Sequence, residues 1–244
     1  MSENKIMSIV KTFLLGALLA LCSLTTAHAS YSGPGISKAD AKAYAKIDQY
    51  ILEAEKKSGT SADLLTAVLY IESNFGNNVH NKYSSVKGAM QYSDRQWRND
   101  LKKHASKMGV SAKSSVHNKR ANILVGAAGL AENRKYLESK VHRPVTDGDV
   151  YMSWFVGLYG AEKILKGNPN AKVSKYVRIS RGNGSMFTVN GKIATVAQFR
   201  EKMNAKIRKH KQQCSELVNN SKYEQLIAQL QSDNNEEVSI TMLH

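Results

Sequence analysis

Glu72 closes the apolar run Leu64-Leu65-Thr66-Ala67-Val68-Leu69-Tyr70-Ile71 and is followed by Ser73-Asn74-Phe75. A carboxyl group at the mouth of a hydrophobic segment sits where its protonated form is favoured. Desolvation disfavours the anion, and the partial negative charge at a helix C-terminus repels it. Ile71 and Phe75 are candidate dry walls. Such a group can act as a general acid near neutral pH. Shortly after it comes Ser84-Ser85-Val86-Lys87-Gly88-Ala89-Met90-Gln91-Tyr92. There a glycine allows close backbone approach, and an amide stands beside it. The pairing suggests cleavage of a glycosidic bond. A glutamate ending a helix is by itself more often a surface residue, and the second segment is what favours the chemical reading.

The elements that must hold these residues are helical. Ala39, Ala43, Ile47, Tyr50, Ile51 and Ala54 step by three and four, predicting one amphipathic helix from Ser37 to Ser58-Gly59. Thr60 with Asp63 has capping-box spacing and predicts the start of the helix that carries Glu72 to about Ser73. Residues 76–87 read as a loop. Helices are expected over 92–108, 119–137 and 146–166, the last interrupted by Gly157 and Gly160. Asn190-Gly191 between two short β-prone runs predicts a hairpin. Thr195 and Gln198 then precede a basic helix through His210, with a last helical piece over 221–230 and a frayed end from Ser232. The fold class is mainly α with a small β-hairpin in the C-terminal part.

Three ordered motifs carry a family resemblance: Glu72-Ser73-Asn74-Phe75, Gly88-Ala89-Met90-Gln91 with Gln96-Trp97 beyond it, and Phe155-Val156-Gly157-Leu158-Tyr159-Gly160-Ala161. Over roughly Ser61 to Leu165 the chain resembles the lytic transglycosylases of the goose-lysozyme-like group. It looks closest to those of phage particles and secretion systems, whose tail the segment from Met186 to Phe199 also resembles. The resemblance implies a lysozyme-like α-helical domain and a single catalytic acid, Glu72. That acid would protonate the oxygen between N-acetylmuramic acid and N-acetylglucosamine, then take a proton from the C6 hydroxyl as a 1,6-anhydro ring closes. Ser73 would orient substrate, Met90 would line the sugar cleft, Gln91 would hydrogen-bond it, and Gly88 would let the backbone approach. The family has Ala-Tyr-Asn-Ala-Gly with its tyrosine on the acid. Aligning glycines puts Trp154 at that position, with Tyr151 and Tyr159 as possible substitutes. Trp97 reads as core. A two-carboxylate glycosidase is disfavoured, since Asp94, Asp100, Glu132 and Glu138 sit in no matching motif.

The formal charge of +15 implies an anionic partner: cell-wall polymer, acidic lipid or exported DNA. The arginine- and lysine-rich stretch 200–211 reads as a mostly solvated face. Lys5, Lys11, an uncharged apolar run from Thr12 to Leu24 and Ala27-His28-Ala29 read as a secretory signal cleaved before Ser30. That predicts a periplasmic or exported chain, with lipidation at Cys22 disfavoured by Leu21 before it. The expected organisation is signal 1–29, linker 30–36, catalytic domain 37–212 (motif core 61–166, extension 170–212) and a helical or flexible tail 213–244. Cys214 reads as an inert thiol. No metal or cofactor is expected: His80, His104, His117 and His142 lack zinc spacing, and no phosphate-binding loop occurs. The expected partners are peptidoglycan glycan strands and a secretion or conjugation apparatus. The alternatives are a hydrolytic lysozyme on the same fold and a non-catalytic basic adaptor binding wall or DNA.

Overall fold

Ser37 caps the first helix by accepting from the Asp40 amide, and from there the apolar spacing converts into helices in chain order. The structure is a computed structural model that describes residues 35–78, 85–179 and 181–241. The expected leader, Cys22, the linker up to residue 34, His80 and Ser84 lie outside the described residues. Among the described residues the helices are α1 (Lys38–Tyr44), α2 (Asp48–Ser58), α3 (Ala62–Ser73), α4 (Asp94–Met108), α5 (Lys119–Lys140), α6 (Asp147–Val156), α7 (Leu158–Lys166) and α8 (Val196–Thr241). Two short 3-10 segments, Val173–Lys175 and Arg181–Phe187, lead into β1 (Thr188–Val189) and β2 (Lys192–Ile193). The molecule is mainly α with one small antiparallel hairpin.

Several boundaries differ from the pattern-based ones. The single helix expected from Ser37 to Ser58 divides at Ala45–Ile47, with Tyr44 and Ile47 both fully buried on either side of the turn. Ser61, not Thr60, caps α3, its hydroxyl accepting from the Leu64 amide at 3.3 Å. Thr60 is buried, and its hydroxyl donates instead to the Ala127 carbonyl at 2.8 Å. A buried hydroxyl must find a partner, and here the tertiary one wins over the local cap. The expected break between His210 and Ser221 does not occur. No Gly or Pro interrupts that stretch, and Cys214, Leu217, Val218 and Ser221 extend the buried stripe of α8. The Ser221 hydroxyl donates to Asp48 at 3.2 Å, tying α8 to the start of α2.

Two predicted local signals form as read. Asn190 and Gly191 both have positive φ (50° and 73°), as a two-residue hairpin turn requires, and Thr188 pairs with Ile193. The Thr195–Gln198 capping box closes in both directions, at 3.0 and 3.2 Å.

Helix α5 runs through the middle, with residues 121–130 all buried. It packs on α2, α4 and α6, while α8 lies across both α3 and α6. That crossing brings the end of α3 and one face of α6 together under α8.

Candidate active site

The end of α3 is built to stop abruptly. Asn74, Phe75 and Gly76 all have positive φ (48°, 60° and 87°), which reverses the chain directly after Glu72-Ser73. A left-handed aromatic residue is unusual. Phe75 is held there by burial and by ring contacts with Tyr70 (5.1 Å) and Tyr44 (5.2 Å). Ser73 is buried and is fully engaged by the backbone. Its hydroxyl donates to the Ala89 carbonyl at 2.7 Å and accepts from the Gly76 amide at 2.9 Å. The expected substrate-orienting role of Ser73 is therefore corrected: it pins the 88–91 turn to the end of α3.

That turn is fixed from below by Asn122, a fully buried amide on α5. Its Oδ1 accepts from the Met90 amide at 2.9 Å and its Nδ2 donates to the Val116 carbonyl at 3.0 Å. Gly88 has φ +75°, and a Cβ there would stand 2.4 Å from Asn122 Nδ2 and 2.6 Å from the Val116 oxygen. Gly88 lets the backbone come close to Asn122 and the Val116 carbonyl. Met90 is also corrected. Its side chain is fully buried over Gly126 of α5, where a Cβ would meet it at 2.9 Å, so it cannot line a cleft. Gln91 stays partly exposed at φ 52°, with its Nε2 donating to the Gly88 carbonyl at 2.9 Å. Trp97 is core, as expected, donating to the Ser114 carbonyl at 3.3 Å.

Helix α6 supplies the aromatic groups. A capping box of Thr146 and Asp149 starts it, and buried Asp149 is further held by Arg143 (3.0 Å) and Arg200 (3.4 Å). Of the three candidate aromatics, Tyr151 is the one that acts on the acid: buried on α6, its phenol opposes the upward push of burial on the Glu72 carboxyl. Trp154, three residues on, donates instead to the Met90 carbonyl at 3.2 Å and stacks edge-on against Tyr92. It walls the site beside Gln91. Tyr159 is not brought to the site. Gly157 breaks the helix at φ 80° and ψ 153°, and Tyr159 points outward on α7 with 70% of its surface exposed, edge-on to Tyr136.

Burial pushes the Glu72 carboxyl up to about 7, against the opposing pull of the Tyr151 hydroxyl and then the Lys206 ammonium. Tyr151 is itself driven well above the usual phenol range by burial and by the adjacent Glu72 charge. A carboxyl half-protonated near neutral pH beside a hydrogen-bond donor is equipped for proton transfer in both directions. Sequence reasoning missed two contributors. Asn122 had a legible signal, a lone amide within an Ala-rich buried stripe. Lys206 had none, being one of many basic residues in 200–211. Cys214 is buried and free, its thiol raised to about 12 by desolvation, which leaves it inert.

A mainly α molecule with a half-buried acid ending one helix, walled by a second helix and a braced Gly-x-x-Gln turn, has the lysozyme-like arrangement. Residues 49–147 match the family model of the transglycosylase SLT domain. The matched stretch carries Glu72, Ser73 and the 88–91 turn, and the match supports a transglycosylase-type enzyme. Tyr151, Trp154 and all of α8 lie beyond it.

Proposed function

We propose that the protein is a peptidoglycan lytic transglycosylase that cleaves the β-1,4 bond between N-acetylmuramic acid and N-acetylglucosamine. The observation that carries this reading is Glu72, a half-buried carboxyl at the end of α3 that desolvation raises to about 7, acted on by Tyr151 of α6 and lying within the segment matching the transglycosylase SLT domain. In the first step protonated Glu72 gives its proton to the bridging oxygen and the C1–O bond breaks, freeing the glucosamine 4-hydroxyl. In the second, the Glu72 carboxylate takes the proton of the muramyl C6 hydroxyl as that oxygen bonds to C1. Glu72 ends as it began, and the muramyl product is a 1,6-anhydro ring. Tyr151 steadies the carboxyl through both steps, and Trp154 and Gln91 face the glycan.

A second carboxylate is not required. Among the described residues the other carboxyl pushed upward, Asp100 at about 6, lies against Tyr92 and is acted on by Glu132 and Lys103, not by Glu72. A hydrolytic pair straddling one sugar is therefore less well supported. The leader-like residues 1–29 and the formal +15 charge fit an exported chain working on an anionic wall. Service to a secretion, conjugation or phage-like apparatus rests on the motif resemblance alone.

Glu72→Gln keeps the shape and removes the proton. In a peptidoglycan zymogram the variant should clear nothing at loadings where the parent clears a band, a loss of at least 10²–10⁴-fold. Equal clearing by the two would remove Glu72 as the acid.

A further inference from the structure

Tyr159, which is not brought to Glu72, stands on α7 with 70% of its surface exposed. A single exposed aromatic residue is ordinary, but this ring is held in a fixed orientation. The Tyr136 ring meets it edge-on, at 6.0 Å and 89°. Tyr136 is tied down in turn. Its hydroxyl donates to Glu162 Oε2 at 2.7 Å, and Lys166 donates to Glu162 Oε1 at 2.7 Å. Tyr176 is a second fixed ring. A Cβ on Gly167 would stand 2.6 Å from its Cζ, so the ring lies directly on that glycine, and its hydroxyl accepts from the Asn168 amide at 2.9 Å. Both tyrosines line a cavity of about 380 Å³, to which Glu162, Lys163 and Asn168 also contribute.

We propose that this cavity on α7 is a second glycan-holding site, in which Tyr159 and Tyr176 carry N-acetylated sugar rings of peptidoglycan outside the cleft at Glu72. This rests on the transglycosylase reading above, whose substrate is a polymer extending past the bond being broken. A pyranose ring has apolar C–H faces and a rim of hydroxyl groups. Tyrosine offers a matching apolar face and has little rotamer freedom to lose. The rim is met by Glu162 as an acceptor and by Lys163 and Asn168 as donors. The Lys166 ammonium and then the Tyr136 hydroxyl hold the Glu162 carboxyl below the usual carboxylate range, so it stays an acceptor at neutral pH. Beyond the cavity the charge is of one sign. Every charged residue between Glu162 and Glu201 is a lysine or an arginine, and Lys163, Lys172 and Lys175 are exposed. These cations suit the carboxylates of the peptides that glycan strands carry. Single-stranded nucleic acid also stacks on aromatic rings beside cations. An ionised carboxylate in the cavity repels phosphate, however, and accepts from sugar hydroxyls, which favours the glycan.

The Glu72→Gln protein, titrated with the N-acetylglucosamine tetramer and followed by backbone-amide NMR, tests this without turnover. The amide signals of Tyr159, Lys163 and Asn168 should shift. Adding Tyr159→Ala should abolish those shifts while leaving any at Gln91 in the cleft. Tyr159→Phe keeps the ring and should retain them. In cosedimentation with purified sacculi, Tyr159→Ala should weaken binding about fivefold, and Tyr159→Phe should bind like the parent. Signals on α7 that stay still, or that move only with a single-stranded DNA oligonucleotide, would overturn the proposal. So would sacculus binding unchanged in Tyr159→Ala, or lost as much in Tyr159→Phe. Shifts at Gln91 without shifts on α7 would remove this site and leave the reading of the cleft intact, whereas the Glu72→Gln zymogram decides on the reaction separately.

Discussion

Glu72 holds its place at a cost to the fold, and that cost can be measured. Its carboxyl is raised to about 7 in the native state from an ordinary value of 4.5. The native state therefore binds the proton more tightly than the unfolded chain does. Below about 4.5 both states are protonated and there is no penalty. Stability then falls as pH rises from 4.5 to 7 and stays lower above that window, by about 3 kcal/mol. Glu72→Gln cannot ionise, so urea unfolding at pH 8 should find it more stable than the parent by about that amount, with the difference vanishing near pH 4. Parallel pH–stability curves would contradict a desolvated acid. The identity of this residue was legible in the sequence because an acid ending an apolar helix is conspicuous. Its aromatic partner was not. Aligning glycines pointed to Trp154, whereas the helical phase of α6, set by the Thr146 cap and the packing of α8 on Gly148, turns Tyr151 toward Glu72.

At the scale of elements, the site is a helix end, a tight turn and a helix face locked together by groups that never meet substrate. Sequence periodicity revealed the helices and the hairpin because burial stripes and turn chemistry are local. It did not reveal what Ser73, Gly88 and Met90 do, because their partners lie far away in the chain, at Ala89, Asn122 and Gly126. Motif residues that look like a sugar-binding surface are instead the joinery beneath it. Gly88→Ala tests this. Its Cβ would collide with Asn122 and the Val116 carbonyl at a left-handed φ, so denaturant unfolding should show a loss of roughly 2–4 kcal/mol. The folded fraction should retain a near-parental KM. A raised KM with unchanged stability would instead restore Gly88 to the substrate surface. The Thr60 cap escaped a local reading for a similar reason, its tertiary acceptor at Ala127 being invisible to a short-range pattern.

For the whole molecule, the segment matching the SLT domain ends at residue 147, yet the arrangement around the acid is finished by helices C-terminal to it. Helix α6 brings Tyr151 and Trp154, and α8 closes over both α3 and α6. The hairpin is joined to the same helix, since Lys202 binds carbonyls at both ends of the 185–188 stretch. Among the described residues no helix is long and apolar enough to cross a membrane, and the excess of 35 basic over 20 acidic residues suits contact with an anionic polymer. At the centre of the proposed chemistry, one carboxyl group performs both proton transfers, so that the sugar's own C6 oxygen and not water closes the reaction. Mass spectrometry of muropeptides released from purified sacculi tests this most directly. The parent protein should release 1,6-anhydromuramyl ends, and Glu72→Gln should release none. Release of reducing muramyl ends alone would contradict the single-carboxyl mechanism.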